Sequence, residues 1–90
     1  MLSSQLSRKH KHTLAAIFSM PTQASIRFTE IEKLIVAFGG EVIEGHGSRV
    51  SFKPAGRKIF LHRPHPGKEA MKYQIEGVRE FLLSTGVIDE

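Results

Sequence analysis

The sequence has no cysteine and no tryptophan, and only one tyrosine and four prolines among 90 residues. Without cysteine there can be no disulfide framework and no thiolate metal site. That usage fits a reducing cytosol, and a cytoplasmic protein is the expectation. Long apolar runs are missing too. Nothing approaches the ~18–20 residues that cross a bilayer, so no membrane association is expected. The nearest thing to a leader is Arg8, Lys9 and Lys11 ahead of Leu14-Ala15-Ala16-Ile17-Phe18. That patch is shorter than the ~7–15 apolar residues of a signal peptide. Negative charge is also in short supply: nine Asp and Glu against thirteen Lys and Arg, plus five histidines, give a formal charge of +4. Such a balance favours an anionic partner.

What is present is ordinary for a folded protein, with 40% hydrophobic and 24% charged residues. A chain of this size buries ~60–65% of the surface its unfolded form exposes, which limits it to one modest core. No internal repeat or linker interrupts it. Residues 1–90 are therefore expected to form a single domain, with 1–28 as an N-terminal helical extension and 29–88 as the core.

Residues 1–20 read as a basic helical arm. Leu14, Ile17 and Phe18 share one face, and Met20-Pro21 ends the helix because a residue before proline is pushed out of the α region. A second helix is expected at about 29–38. Thr29 and Glu32 have capping-box spacing, Ile31, Leu34, Ile35 and Phe38 follow at i, i+3, i+4 and i+7, and Gly39-Gly40 supplies the stop. Strand-like sequence comes next: Val42-Ile43-Glu44, the tight turn Gly45-His46-Gly47, and then Ser48 to Lys53. In this last segment Val50 and Phe52 point one way and Arg49, Ser51 and Lys53 the other. Pro54-Ala55-Gly56 is hairpin chemistry, and Arg57 to His62 is the returning strand. A loop punctuated by Pro64, Pro66 and Gly67 leads to a last helix at about 71–85. It buries Ile75, Val78, Phe81 and Leu82 and ends at Gly86, although Gly77 within it costs ~1 kcal/mol relative to alanine.

The expected fold class is α+β: a three-stranded antiparallel sheet with helices on one face and the other face wet. The wet face would carry Arg49, Ser51 and Lys53, a donor set suited to a phosphate backbone. Arg57 and Lys58 would extend it.

The core helix, Gly47-Ser48 before a strand, Val50-x-Phe52, the loop His65-Pro66-Gly67-Lys68-Glu69 and the stretch Val78-Arg79-Glu80-Phe81-Leu82-Leu83-Ser84-Thr85-Gly86-Val87 occur in the order seen in HicA-family toxins. The chain resembles that family over roughly residues 29–88. The resemblance implies a double-stranded-RNA-binding-domain-like fold, α-β-β-β-α, here with an added N-terminal helix. It also implies the toxin role in a type II toxin–antitoxin system, metal-independent cleavage of messenger RNA with no cofactor, and neutralisation by a HicB-type antitoxin. The family motif is Gly-Ser-His, with the histidine taken as catalytic, and here Arg49 fills that slot. A guanidinium does not deprotonate in proteins, so Arg49 can bind phosphate but cannot be the general base.

Metal-free RNA cleavage needs a base for the 2′-hydroxyl and cations for the developing charge, and imidazole suits the first task. His46, between two glycines, and His62, at the end of the third strand, are the candidates. His65 follows in the loop, where it and Lys68 could reach a phosphate. Ser48 could supply a hydroxyl contact. Each has a plain alternative: His46 as an exposed turn residue, His62 bonded to backbone, His65 orienting its loop, and Arg49, Lys53, Arg57 and Lys58 as a solvated hairpin face. Phe60 could stack a base if it faced outward, but Ile59 and Leu61 leave the strand's facing undecided, and a core position is expected. His62-x-x-His65 lacks a matching carboxylate or thiol for a metal, and Gly67-Lys68 is not a P-loop. The alternative readings are a catalytically inactive RNA-binding protein of the same fold and a module whose basic face docks on an antitoxin.

Overall fold

The computed structural model describes residues 7–47, 49–53, 58–64 and 67–86. Its elements run α1 (Arg8–Ile17), α2 (Phe28–Ala37), β1 (Glu41–Glu44), β2 (Arg49–Lys53), β3 (Ile59–His62) and α3 (Lys72–Thr85). The sheet order is β1-β2-β3, antiparallel throughout. This is an α+β fold in the double-stranded-RNA-binding-domain-like arrangement, with α1 added in front.

Alternation along the strands decides what the sheet buries. Val50 and Phe52 of β2 are fully buried, with Leu61 of β3 beside them and Val42 and Ile59 packed at their edge. Helices α2 and α3 close over that side, and α1 packs against both of them. From α2 come Phe28, Ile31, Leu34 and Ile35, and from α3 Ile75, Val78 and Leu82. Phe28 and Phe52 meet at 5.8 Å between ring centroids with a tilt of 38°, a geometry favoured by the ring quadrupoles. Phe81 is only partly buried against this core.

The N-terminal helix belongs to the same core through Ile17. Ser7 caps it, its Oγ accepting from the His10 N–H at 3.2 Å, and the helix closes at Phe18, ahead of the cis Met20–Pro21 bond. Arg79 of α3 then locks the exit: its Nε donates to the Ile17 carbonyl at 2.9 Å and its other guanidinium nitrogen to Thr22 Oγ1 at 3.0 Å. The basic run is not a detached arm. Lys9 lies 3.7 Å from Glu30 of α2.

The expected capping box on α2 is not formed. The N-cap is Arg27, without a side-chain cap bond. The first helical amide, Phe28, donates instead to the Lys68 carbonyl at 3.0 Å, beside an isolated Arg27–Glu69 bridge. Glu32 is unavailable for capping because it receives Arg63 from beyond β3. Burial of Phe28 also starts the helix one residue before Thr29.

Candidate nucleic-acid interface on the open sheet face

The β-pairings set three rows of side chains on the solvent side. Ile43, Ser51 and Phe60 are cross-strand neighbours in the middle row. At one end Arg49 pairs with His62, and at the other Lys53 pairs with Glu41. Extending the β2–β3 register by one residue sets Lys58 beside Lys53. Arg49, Lys53, Lys58 and His62 are all exposed, whereas Ser51 is covered, at 9% exposure. The expected wet Ser51 is therefore corrected: the neighbouring Ile43 and Phe60 shade its small side chain. Phe60 is corrected the other way. It is 65% exposed on the open face, because Ile59 and Leu61 pair with Phe52 and Val50 and take the core positions. The Lys58 ammonium sits 5.7 Å from the Phe60 ring centroid, within cation–π range.

The β1–β2 turn brings His46 to the Arg49 end of this face. The Arg49 N–H donates to the His46 carbonyl at 3.0 Å, and the Gly45 N–H donates to the Arg49 carbonyl at 2.9 Å. Both glycines here have a physical reason. A Cβ on Gly45 would stand 3.3 Å from the Arg49 carbonyl oxygen and 3.4 Å from the Arg49 Cβ and Cγ, and Gly47 turns with φ +60°, where side chains other than glycine are strained. The His46 side chain is exposed.

His62 is held from both sides. The Gln74 Nε2 of α3 donates to its carbonyl at 2.7 Å, and the Met71 N–H donates to Gln74 Oε1 at 3.0 Å. The next residue, Arg63, donates Nε to Glu32 Oε2 at 2.7 Å and forks onto both carboxylate oxygens of Glu44, at 2.5 and 2.6 Å. The hydrogen bond from Arg63 holds the Glu44 carboxyl below its ordinary value, and the two carboxylates raise the Arg63 guanidinium, Glu44 first. Charge-assisted forked pairs of this kind fix geometry as well as energy.

Sequence reasoning missed Gln74 and Arg63. Gln74 left a signal, because it is a polar residue on the buried stripe with Ile75, Val78 and Leu82, and a buried amide needs partners. Arg63 left none, since its partners lie 31 and 19 residues away. Lys68 is exposed and lines a cleft with Arg27, Phe28, Thr29, Arg63, Pro64 and Gly67. It is thus grouped with the start of α2 rather than with the strand cations. Ser48, Arg57, His65 and the turn at 54–56 lie outside the described residues. Among the described residues no group of three or more His, Asp or Glu comes together to hold a metal ion, and no helix is long and apolar enough to cross a membrane.

The fold and this face define a class: a small α+β protein with helices behind its sheet and cations in front. A family model described as the HicA toxin of bacterial toxin–antitoxin systems matches residues 28–82, from the start of α2 into the last turns of α3. The chain belongs to the HicA toxin family. It is the toxin of a toxin–antitoxin system, and a cognate antitoxin is its partner. No curated protein and no solved structure matches it, so the assignment rests on that family model.

Proposed function

We propose that this toxin is a metal-independent messenger-RNA endoribonuclease, acting in the cytoplasm from the open sheet face and silenced when a HicB-type antitoxin covers that face. The observation that carries this reading is the cross-strand pairing of Arg49 with His62 on the solvent side. It sets a permanent cation beside an imidazole at the strand where the family motif keeps its histidine. The residue that fills the motif slot cannot take a proton, but its neighbour across the strand can.

In this scheme His62 takes the proton of a ribose 2′-hydroxyl. The 2′-oxygen then forms a bond to the adjacent phosphorus, and the bond from phosphorus to the 5′-oxygen breaks. His46, entering as imidazolium, protonates the leaving 5′-oxygen, and a 2′,3′-cyclic phosphate remains. Arg49 opposes the negative charge that grows on the phosphoryl oxygens. Lys53 and Lys58 hold flanking phosphates, and Ser48, Arg57 and His65 complete the RNA-contacting set, while Lys68 offers a separate cation beside the start of α2. Helix α1 of the N-terminal extension braces this single domain, and residues 29–88 carry its chemistry. The bond from Gln74 to the His62 carbonyl and the pairing of Arg63 with two glutamates fix the backbone that carries His62, which supports the scheme because proton transfer depends on placement of the base.

One observation favours a second reading. With arginine in the histidine slot, the protein would bind RNA by charge and shape and leave it whole. The test is incubation of purified toxin with RNA in excess EDTA across pH 5 to 9. The endonuclease reading expects cleavage that His62→Ala abolishes while binding persists. Intact RNA throughout, with binding that falls steeply with salt, establishes the second reading instead.

A further inference from the structure

The middle row of the open face is not explained by phosphate binding. Phe60 is 65% and Ile43 36% exposed, and Ser51 between them is too small to cover either. This apolar strip lies between two polar rows, each about 7 Å away along the strands. One row holds Arg49 and His62, and the other holds Lys53, Lys58 and the single carboxylate Glu41. Lys53 and Lys58 side by side are a like-charge cross-strand pair, which destabilises a sheet. Glu41 opposes one of them, and the Phe60 ring face the other at 5.7 Å. A flat aromatic surface ringed by cations complements a ligand that is itself flat, apolar on its faces and anionic at its edges.

We infer that the open sheet face is a stacking platform for single-stranded RNA, with one unpaired base seated on Phe60, its flanking phosphates on Arg49 to one side and on Lys53 and Lys58 to the other. This rests on the RNA reading above and narrows it to unpaired segments. A base inside a duplex has both faces occupied by its neighbours, so a helix could offer this surface only its backbone, whereas an unpaired base has a free π-face. Phe60 is a binding and specificity residue here, and it sets which nucleotide is presented to the Arg49–His62 pair.

The test uses the full chain and a 2′-O-methyl oligonucleotide carrying one 2-aminopurine, as a single strand and annealed to its complement. The methyl group blocks attack by the 2′-oxygen, so stacking is read without cleavage. The wild type is expected to bind the single strand more tightly than the duplex and to quench the 2-aminopurine. Phe60→Ala is expected to weaken single-strand binding roughly 5- to 150-fold, the range for loss of one stacked base, with little change for the duplex. Phe60→Tyr should retain binding. Phe60→Leu keeps apolar bulk without a π-face and should fall with the alanine variant, at an unchanged melting temperature. Equal single-strand binding by wild type, Phe60→Ala and Phe60→Leu overturns the inference, and loss of antitoxin binding by those variants would then assign the ring to a protein contact. A wild type that quenches 2-aminopurine but leaves ordinary RNA intact supports the platform and retires only the nuclease. A cleaving wild type with unaffected Phe60 variants does the reverse.

Discussion

Replacing Arg63 with alanine severs a clamp that joins α2, β1 and the segment leaving β3. The magnitude follows from the Glu32 arm. Arg63 Nε and one terminal nitrogen both reach Glu32 Oε2, at 2.7 and 2.6 Å, and the side chains are 34% and 16% exposed. A hydrogen bond to a charged group contributes about 1.5–3 kcal/mol. Solvent reaches about a third of the guanidinium, and screening reduces the net to about 1–2 kcal/mol. For a chain of this size that corresponds to a melting temperature lower by about 5–15 °C. The assay is thermal and urea unfolding by circular dichroism of wild type, Arg63→Ala, Glu32→Gln and the double variant. A coupling of about 1 kcal/mol between the two sites is expected. The Glu44 arm adds a pH signature. Because its carboxyl is held below the ordinary 4.5 by the Arg63 hydrogen bond, its stabilisation is complete above that value and is lost as pH falls through the lower folded one. Wild type should lose this increment in acid, and Arg63→Ala should not. Additive single variants and an unchanged acid limb would refute the clamp.

Two further outcomes follow from the geometry. Arg79→Ala removes the bonds to the Ile17 carbonyl and Thr22 Oγ1; it should destabilise by about 1–2 kcal/mol and raise hydrogen exchange in residues 8–17 well before β2, and uniform protection would contradict the lock. Lys53→Ala and Lys58→Ala should each lower the slope of log affinity against log salt for RNA by about 1, and unchanged slopes would remove these lysines from the phosphate track.

The order of elements was legible because each rests on a local rule. The Ile31, Leu34, Ile35 stripe reads as a helix, Val50-x-Phe52 as a half-buried strand, and Gly86 as a stop. What failed depended on partners far along the chain. Thr29 and Glu32 have the spacing of a capping box, but Arg63 claims Glu32. In Ile59-Phe60-Leu61 three apolar residues in a row erase the alternation that would show which faces out, and only pairing with Phe52, Ser51 and Val50 settles it. Ser51 has the phase of an exposed residue and loses its exposure to Ile43 and Phe60. For the candidate site, the cationic alternation of Arg49 and Lys53 could be read directly. The row of Arg49 with His62 could not, since it needs the register of a strand whose preceding turn carries no fixed length in the sequence. Nor could the docking of α1, which depends on Arg79 reaching back across 62 residues to Ile17.

The most direct measurement is the product analysis of a single-stranded RNA incubated with purified toxin in excess EDTA, for wild type beside His62→Ala. Wild type should give fragments ending in 2′,3′-cyclic phosphate, and the variant should leave full-length RNA that is still bound. Equal fragmentation by both proteins would contradict the role given to His62, and uncut RNA with wild type would contradict the endonuclease itself.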